Sequence, residues 1–355
     1  MPERTMLERA VYKKGMNGMK KILMITTGGT IASQQSDCGL YPQLTPQDLL
    51  SYVPEVSHYA KVETLEVCNI DSTNIRPHHW SLISHSIEEN YTRYDGFVIC
   101  HGTDTMAYTG AALSYMIQNV TKPIVITGAQ RPIDMDVTDA KTNLLDSFVY
   151  AASEDSQGVV IVFDGKVIIG TRAKKVRAKS YNAFESFNFP YPAVIQDQYV
   201  IRYLPPETIL GEPQFFHNMD ANICTLKITP GMLPESLQAM YDLYDGIVIE
   251  SFGVGGIPES ITEEFHRLLS SSESDQKVFV MATQVANEGS NMSVYEVGKR
   301  IKQTFHLMEA FDMTFEATVT KLMWILSNQD EDHSMEDIRN LFYKKINYDI
   351  LIHRS

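Results

Sequence analysis

The sequence is poor in cysteine, and its few cysteines do not form a recognisable site. Of 355 residues only four are cysteines, and they are scattered at Cys38, Cys68, Cys100 and Cys224. No two of them form a C-x-x-C pair, and no Cys/His cluster has the spacing of metal ligands. We therefore expect no metal site, and scattered unpaired cysteines fit a reducing compartment.

An excess of positive charge and long apolar runs are also missing. The 30 Lys and Arg residues are outnumbered by 44 Asp and Glu residues, which leaves a net charge of −14. A field of this sign does not attract nucleic acid or anionic membranes. No apolar run approaches the roughly 18 residues that span a bilayer. We therefore expect no nucleic acid and no membrane among the partners of this protein.

Residues 1–19 lack the apolar core of a secretory signal and are mixed in charge. Two interpretations of this segment stay open. It is either a poorly ordered extension or a short helix that covers the edge of a sheet.

The sequence does contain short β-branched runs that alternate with stretches of helical period. The runs are residues 21–26, 96–100, 123–127 and 158–163, and the helical stretches are residues 104–119 and 139–152. Apolar strands that alternate with helices are typical of a parallel sheet covered by helices on both faces. The first half of the chain therefore predicts a doubly wound α/β domain.

A second α/β region follows a proline-rich interruption. Between about residues 202 and 222 the pattern weakens, and a segment with three prolines is typical of a linker. Beyond it, the predicted strands are residues 246–250 and 277–281, and the predicted helices are residues 259–271, 315–327 and 335–344. We predict two doubly wound α/β domains with parallel sheets. The divisions are an N-terminal extension (1–19), a larger N-terminal domain (20–202), a linker (203–222) and a smaller C-terminal domain (223–355).

The first predicted strand ends in residues suited to ligand binding. Ligands of parallel α/β sheets bind beyond the carboxyl ends of the strands, and here Gly28, Gly29 and Thr30 follow such an end. The glycines allow a sharp turn and let backbone N–H groups face a negative centre. Taken alone, the segment is equally typical of an ordinary turn with incidental threonines.

The second candidate segment follows residues 96–100 and contains His101, Gly102, Thr103 and Asp104. Taken alone, Asp104 is typical of a helix N-cap, and His101 is typical of a structural histidine. The exposed N–H groups of a helix that begins here would favour a substrate carboxylate.

Together, the two strand ends indicate chemistry with a hydroxyl nucleophile. A threonine hydroxyl is a weak nucleophile at neutral pH and needs a partner that removes its proton. A lysine can be that base when burial or neighbouring cations depress its pKa. Lys174 and Lys175 lie in the basic stretch 170–177 and are the candidates. A solvated surface would also account for this stretch.

The motifs resemble those of the bacterial L-asparaginases of the cytoplasmic type I kind. The resemblance runs from about residue 20 to the end of the chain. The matching segments are TTGGTIAS (26–33), NIDST (69–73), HGTDTMAYT (101–109), PIVITGAQRP (123–132), GTRAKKVRAKSYNAFES (170–186) and YDGIVIESFGVGG (244–256).

The resemblance implies an enzyme that hydrolyses L-asparagine to L-aspartate and ammonia through an acyl-enzyme. It implies that Thr30 is the nucleophile and that Thr103, Asp104 and Lys175 form a supporting group. Lys174 is the less fitting of the two adjacent lysines. Neither a metal nor an organic cofactor is required, and the expected location is the cytoplasm.

The resemblance also implies a set of substrate contacts. Asp71 and Ser72 match positions that hold the α-amino acid head group, and the backbone of Ala129 matches one that faces the side-chain amide. The substrate-binding residues that we expect are Gly29, Asp71, Ser72, Thr73, Gly102 and Ala129.

A tyrosine on a closing loop is a further expectation from the resemblance. Tyr41 is the candidate, and residues 34–39 would form the mobile lid. The alignment can shift by one residue here, and a tyrosine that merely packs on the loop is the alternative.

The resemblance bears on assembly and regulation as well. The family builds its sites between subunits, so we expect a homodimer or a homotetramer. Some type I relatives have a regulatory site with an arginine and a cysteine, where this sequence has Glu250 and Val285. We therefore expect this protein to lack that control.

Two other functions are compatible with the motifs. One is the ammonia-releasing subunit of a tRNA amidotransferase, which carries an added N-terminal domain, whereas only about 19 residues precede the first strand here. The other is a non-catalytic α/β protein that binds amino acids. It would require the hydroxyl, lysine and carboxylate groups to be together by accident.

Overall fold

The computed structural model describes residues 18–36, 39–269, 277–294, 307–328 and 334–351. Most of the segment 1–19 lies outside these ranges, and so its two interpretations stay open.

The N-terminal part is built around a twisted sheet with helices on both faces. Its strands are β1 (Lys20–Gly28), β2 (Ser33–Ser36), β3 (Gly39–Pro42), β4 (Ala60–Ile70), β5 (Gly96–Cys100), β6 (Ile117–Gln118), β7 (Pro123–Thr127), β8 (Gly158–Phe163), β9 (Lys166–Ile169), β10 (Ala173–Lys175), β11 (Phe184–Ser186), β12 (Ala193–Gln196) and β13 (Tyr199–Arg202). Its α-helices are α1 (Pro46–Ser51), α2 (Pro77–Asn90), α3 (Met106–Met116) and α4 (Ala140–Ala152).

The main sheet has the strand order β13-β12-β9-β8-β7-β5-β1-β4. From β4 to β8 neighbouring strands are parallel, which confirms the predicted parallel arrangement for the strands that lead to the candidate residues. Beyond β8 the sheet becomes antiparallel, so that it is mixed as a whole. The change occurs at a two-residue turn, Asp164 and Gly165, where both φ angles are positive. Asp-Gly is a favoured pair for such a hairpin.

The helices that follow β5 and β7 differ slightly from the predicted ranges. Helix α3 begins at Met106 rather than at Asp104, because residues 103–105 form a loop at the strand end. It ends at Met116 because Ile117 and Gln118 form strand β6. Its residues are buried nearly all round, since it packs between the sheet and a C-terminal helix.

The C-terminal part is a smaller parallel α/β unit, as predicted. Its strands are β15 (Ile223–Lys227), β16 (Gly246–Ser251), β17 (Val278–Thr283) and β18 (Met308–Glu309), which follow β14 (Gln214–Phe215) in the linker. Its helices are α5 (Glu235–Leu243), α6 (Glu259–Leu269), α7 (Phe315–Ser327) and α8 (Met335–Tyr343). The sheet order is β15-β16-β17-β18, and every described pair is parallel. Strand β14 pairs with β6, so the linker is bound to the N-terminal part.

A buried ion pair joins the two parts. The Nη2 atom of Arg172, just before β10, lies 2.8 Å from Asp312 Oδ2, and both side chains are almost fully buried. Arg172 also donates from Nη1 to the Asp312 carbonyl oxygen at 2.7 Å and from Nε to the Tyr348 carbonyl oxygen at 2.6 Å. Three backbone or carboxylate acceptors thus compensate the guanidinium for its loss of water.

The substitution Asp312→Ala should therefore destabilise the protein by about 3–5 kcal/mol, because it leaves the Arg172 charge buried without its partner. Arg93→Ala is the matched control, since Arg93 and Glu63 form a 3.9 Å pair whose side chains are more than half exposed. Its effect should be at most about 1 kcal/mol. Urea unfolding of both variants measures the difference, and equal losses of stability would contradict this role for Asp312.

Candidate functional site

Three strand ends meet at one edge of the main sheet. Strands β4, β1 and β5 lie side by side and are parallel, so their carboxyl ends share that edge. Gly29 has a φ of +81°, and a Cβ added to it would lie 2.5 Å from Gly102 Cα. A Cβ on Gly102 would lie 2.6 Å from Ser72 Oγ. Only residues without a side chain allow these backbones to approach so closely. The structure therefore brings Gly29, Ser72 and Gly102 together.

Thr30 begins a short 3-10 turn directly after this contact. The turn spans Thr30–Ala32, and Thr30 is half-buried. Its orientation is fixed through Gly29, whose N–H donates to the Ile70 carbonyl oxygen at 3.1 Å. The Gly29 carbonyl oxygen accepts from Ala32 N at 3.1 Å and from Ser33 Oγ at 3.0 Å. Thr30 is thereby held at the sheet edge where the other candidate residues lie.

A lysine, a threonine and an aspartate are hydrogen-bonded to one another beside β5. Lys175 Nζ donates to Thr103 Oγ1 at 2.8 Å and to Asp104 Oδ1 at 2.6 Å. Thr103 is buried, whereas the Asp104 side chain is 59% exposed and that of Lys175 is 17% exposed. Asp104 does not cap helix α3, whose N-cap residue is Thr105. The arrangement leaves the carboxylate open to a ligand while it orients the ammonium group.

The two adjacent lysines face different surroundings. They occupy consecutive positions in β10, which pairs with β11, and consecutive strand residues point to opposite faces. Lys174 Nζ lies 3.7 Å from Glu316 Oε1, away from Thr103. Of the two candidates, Lys175 is the one that contacts Thr103 and Asp104.

The NIDST segment forms a turn at the end of β4. Asp71 is the N-cap of the 3-10 turn Ser72–Asn74, and its Oδ1 accepts from both Thr73 N and Thr73 Oγ1 at 2.8 Å. The Ser72 carbonyl oxygen accepts from Thr105 Oγ1 at 2.8 Å, which ties this turn to the loop after β5. Asp71 and Thr73 are exposed and Ser72 is buried. Thr73 therefore fixes the Asp71 carboxylate at the exposed margin of the candidate site, which we call the rim.

Gln130, which the sequence alone did not single out, also contacts this group. Thr103 Oγ1 donates to Gln130 Oε1 at 3.2 Å. Gln130 follows Ala129, a fully buried residue just beyond β7, in the segment PIVITGAQRP that carried part of the resemblance. Its position in that segment was the only signal available, and an amide has no distinctive sequence pattern of its own.

His101 is a structural residue rather than a base. It is fully buried, and its Nδ1 lies 2.6 Å from the Gly102 carbonyl oxygen, which can only accept a hydrogen bond. Its Nε2 lies 2.9 Å from Thr109 Oγ1, which accepts from Trp80 Nε1. Burial lowers the pKa of His101 to about 4, so the ring is neutral, with the proton on Nδ1. The histidine therefore holds the Gly102 peptide in place.

The expected lid tyrosine is described only through its backbone. Tyr41 lies in β3, opposite Gln34 of β2. Its side chain, and residues 37 and 38 of the proposed lid, lie outside what the structure describes. The role of Tyr41 therefore stays a prediction.

Two cavities are not lined by Lys175, Thr103 or Asp104. One of about 30 Å³ is lined by Glu250, Val285 and Lys174 at the C-terminal sheet. A larger one of about 220 Å³ is lined by Gly158, Asn119 and part of the linker, at the opposite ends of the parallel strands. The hydrogen-bonded group, and not cavity volume, marks the candidate site.

Within the described ranges, no three His, Cys, Asp or Glu side chains are grouped so that they could hold a metal ion. No helix in those ranges is both long and apolar enough to cross a membrane.

Family models match both parts of the chain. The asparaginase N-terminal domain matches residues 21–207, and the glutaminase/asparaginase C-terminal domain matches residues 222–342. The chain belongs to the asparaginase/glutaminase family. Together the two models cover the strands and loops that carry the candidate residues.

Among curated proteins, the L-asparaginase of Thermococcus kodakarensis is 38% identical over 92% of this chain and 98% of its own length. A glutamyl-tRNA(Gln) amidotransferase subunit from Pyrococcus abyssi is 32% identical over 94% of this chain and 80% of its own length. Both kinds of relative share the family with this chain.

Solved structures have the same fold. The thermostable L-asparaginase of Thermococcus kodakarensis has a TM-score of 0.86 and 37% identity, and L-asparaginase I of Vibrio cholerae has 0.83 and 27%. Each comparison covers 94% of this chain and 100% of the other. The archaeal protein is the more similar in sequence. The expected relationship to bacterial enzymes is thus corrected: the family is right, but the kinship is not specifically bacterial.

His101→Asn tests the role of the buried ring, because it removes the titrating group but keeps a short amide donor. Between about pH 6.5 and 4 the unfolded wild-type chain binds a proton at His101 that the folded protein does not. The free energy of unfolding of the wild-type protein should therefore decrease as the pH is lowered across that window, by on the order of 3 kcal/mol. The wild-type advantage over His101→Asn in urea unfolding should shrink from pH 7 to pH 5. An advantage that is constant with pH would argue against a neutral buried ring.

Proposed function

We propose that this protein hydrolyses L-asparagine to L-aspartate and ammonia. One observation carries the proposal: Lys175 Nζ is hydrogen-bonded to both Thr103 and Asp104, at the sheet edge where Thr30 begins its turn. A hydroxyl nucleophile, a relay hydroxyl, a lysine and a carboxylate are together sufficient for amide hydrolysis without a metal.

In the proposed reaction, Thr30 Oγ1 attacks the side-chain amide carbon of the substrate. Its proton passes by way of the Thr103 hydroxyl to Nζ of Lys175, which is neutral when Thr30 attacks and becomes an ammonium group in this step. Backbone N–H groups near Gly29 stabilise the oxyanion. The amide nitrogen takes a proton by the same route and leaves as ammonia. Water then attacks the acyl-enzyme, which releases aspartate and returns the proton to Thr30. No cofactor takes part.

The substrate head group would bind at the rim. Asp71 and Asp104 are exposed carboxylates that suit an α-ammonium group. The Ser72 hydroxyl and nearby N–H groups suit the α-carboxylate. The backbone of Ala129, beyond β7, would face the side-chain amide. Thr73 would contribute to substrate binding by orienting the Asp71 carboxylate through two hydrogen bonds.

The amidotransferase relatives motivate a second candidate function, in which this protein releases ammonia as a subunit of a tRNA amidotransferase. These relatives belong to the same family. The archaeal L-asparaginase is 38% identical, and the amidotransferase subunit from Pyrococcus abyssi is 32% identical. The higher identity supports asparagine hydrolysis without a partner protein.

We also propose that the protein is cytoplasmic and forms a homodimer or a homotetramer. Light scattering of the purified protein would measure the mass of the assembly.

Thr30→Ala should reduce ammonia release from asparagine at least about 1,000-fold, because it removes the nucleophile while leaving the glycines that shape the turn. The assay is run in parallel with glutamine, since one methylene changes discrimination by only about 1–3 kcal/mol. An unchanged melting temperature serves as the control for folding. Full activity in Thr30→Ala would sink the nucleophile assignment, and no release by wild-type protein would sink the function.

Lys175→Met and Lys174→Met form a matched pair. Each removes one ammonium group from β10, but only Lys175 contacts Thr103. We expect kcat to fall about 100- to 10,000-fold for Lys175→Met, the usual contribution of a proton-transfer group, and to change less than about threefold for Lys174→Met. Equal losses in both variants would contradict the assignment of Lys175.

A further inference from the structure

Gln130 connects Thr103 to the turn that carries Lys175. Its Oε1 accepts from Thr103 Oγ1 at 3.2 Å. Its Nε2 donates to the carbonyl oxygen of Ser180 at 3.2 Å and to that of Arg177 at 3.4 Å. Ser180 and Arg177 lie between β10 and β11, the hairpin that presents Lys175. One amide therefore spans the gap between two chain segments of the site.

The chemistry of these partners fixes the orientation of the amide. Carbonyl oxygens only accept hydrogen bonds, so the Nε2 group of Gln130 must face Ser180 and Arg177. Its Oε1 then faces Thr103, which has a single hydroxyl proton and must donate it. The lone pairs of Thr103 Oγ1 are left to receive the N–H of Lys175, as the 2.8 Å distance indicates.

The backbone of Gln130 is also held firmly. Its N–H lies 2.9 Å from Asp139 Oδ2, and Arg131 N lies 3.1 Å from Asp139 Oδ1. Asp139 is 7% exposed and also accepts from Asn143 Nδ2 at 3.2 Å. A carboxylate held at the start of α4 thus fixes the segment that carries Gln130.

We propose that Gln130 is a positioning residue for the proposed hydrolysis, because it sets the direction of the hydrogen bonds between Lys175 and Thr103. The inference rests on the proposed function and deepens it. The weak 3.2 Å bond to Gln130 lets the Thr103 hydroxyl turn toward the leaving nitrogen. As that nitrogen takes the Thr103 proton, the Thr103 O–H bond breaks and a proton from Lys175 Nζ forms a new one. Lys175 is left neutral and can later accept the proton of the attacking water.

Two substitutions test the role. Gln130→Met keeps the length of the side chain but removes both kinds of hydrogen bond. It should lower kcat about 10-fold, the worth of one hydrogen bond, and leave KM within about twofold. Gln130→Glu adds a negative charge beside Thr103, close to Lys175. It should raise the pH of the acid limb of the kcat profile by about one unit, because a nearby carboxylate stabilises the protonated lysine, which cannot accept a proton.

Gln118→Met is the matched control. Gln118 is buried and donates from Nε2 to the Tyr115 carbonyl oxygen at 2.8 Å. It lines the larger cavity, at the opposite ends of the parallel strands from the candidate group. Its loss should lower the melting temperature without changing kcat per folded molecule or the pH profile.

Ammonia release from asparagine between pH 5 and 10, with the folded fraction measured alongside, distinguishes the outcomes. A reduced kcat per folded molecule in Gln130→Met and a shifted profile in Gln130→Glu support the inference. An unchanged kcat per folded molecule and an unshifted profile overturn it, since Gln130 would then be only structural. Wild-type protein that releases no ammonia would overturn the proposed function together with this inference.

Discussion

The close approach of Gly29 to Gly102 is the contact on which the geometry of the candidate site depends. Two parallel strands end here, and the absence of side chains lets their loops touch at distances where a Cβ would collide. Thr30 follows one glycine and Thr103 follows the other, so this contact sets their separation. The buried ring of His101 donates a hydrogen bond to the Gly102 carbonyl oxygen, and Ser72 packs directly against Gly102. Three segments thus converge, mainly through backbone contacts.

Lys175 reaches this point from a different direction. It is on β10, a three-residue strand outside the main sheet, just after Arg172. Arg172 is anchored in the C-terminal part through Asp312 and Tyr348. The position of the lysine therefore depends on the association of the two parts of the chain, whereas the threonines depend on the N-terminal sheet alone. A buried ion pair of this kind adds little net stability compared with apolar packing, but its directional bonds define one arrangement.

Much of the fold could be predicted because its central strands are buried on both faces. Strands β5, β7 and β8 begin and end at the predicted residues, since continuous apolar runs are bounded by Gly or Pro and polar residues. The antiparallel half of the sheet was missed because β9 and β12 are short and follow a tight Asp-Gly turn. The choice between Lys174 and Lys175 could not come from composition, because it depends on which face of β10 meets Thr103. Gln130 was missed for a similar reason: only tertiary contacts distinguish its amide from any other.

The charge at the rim has a consequence for turnover under the proposed function. Asp71 and Asp104 are exposed carboxylates, and Lys175 is the cation that contacts one of them. Asparagine brings one carboxylate and one ammonium group to this rim and is neutral overall. Aspartate brings a second carboxylate, which the protein charge of −14 and the two rim carboxylates disfavour. Under the proposed function, the charges that would attract the substrate ammonium group would therefore weaken binding of the product, and the two molecules would differ at the site by the one group that the reaction changes.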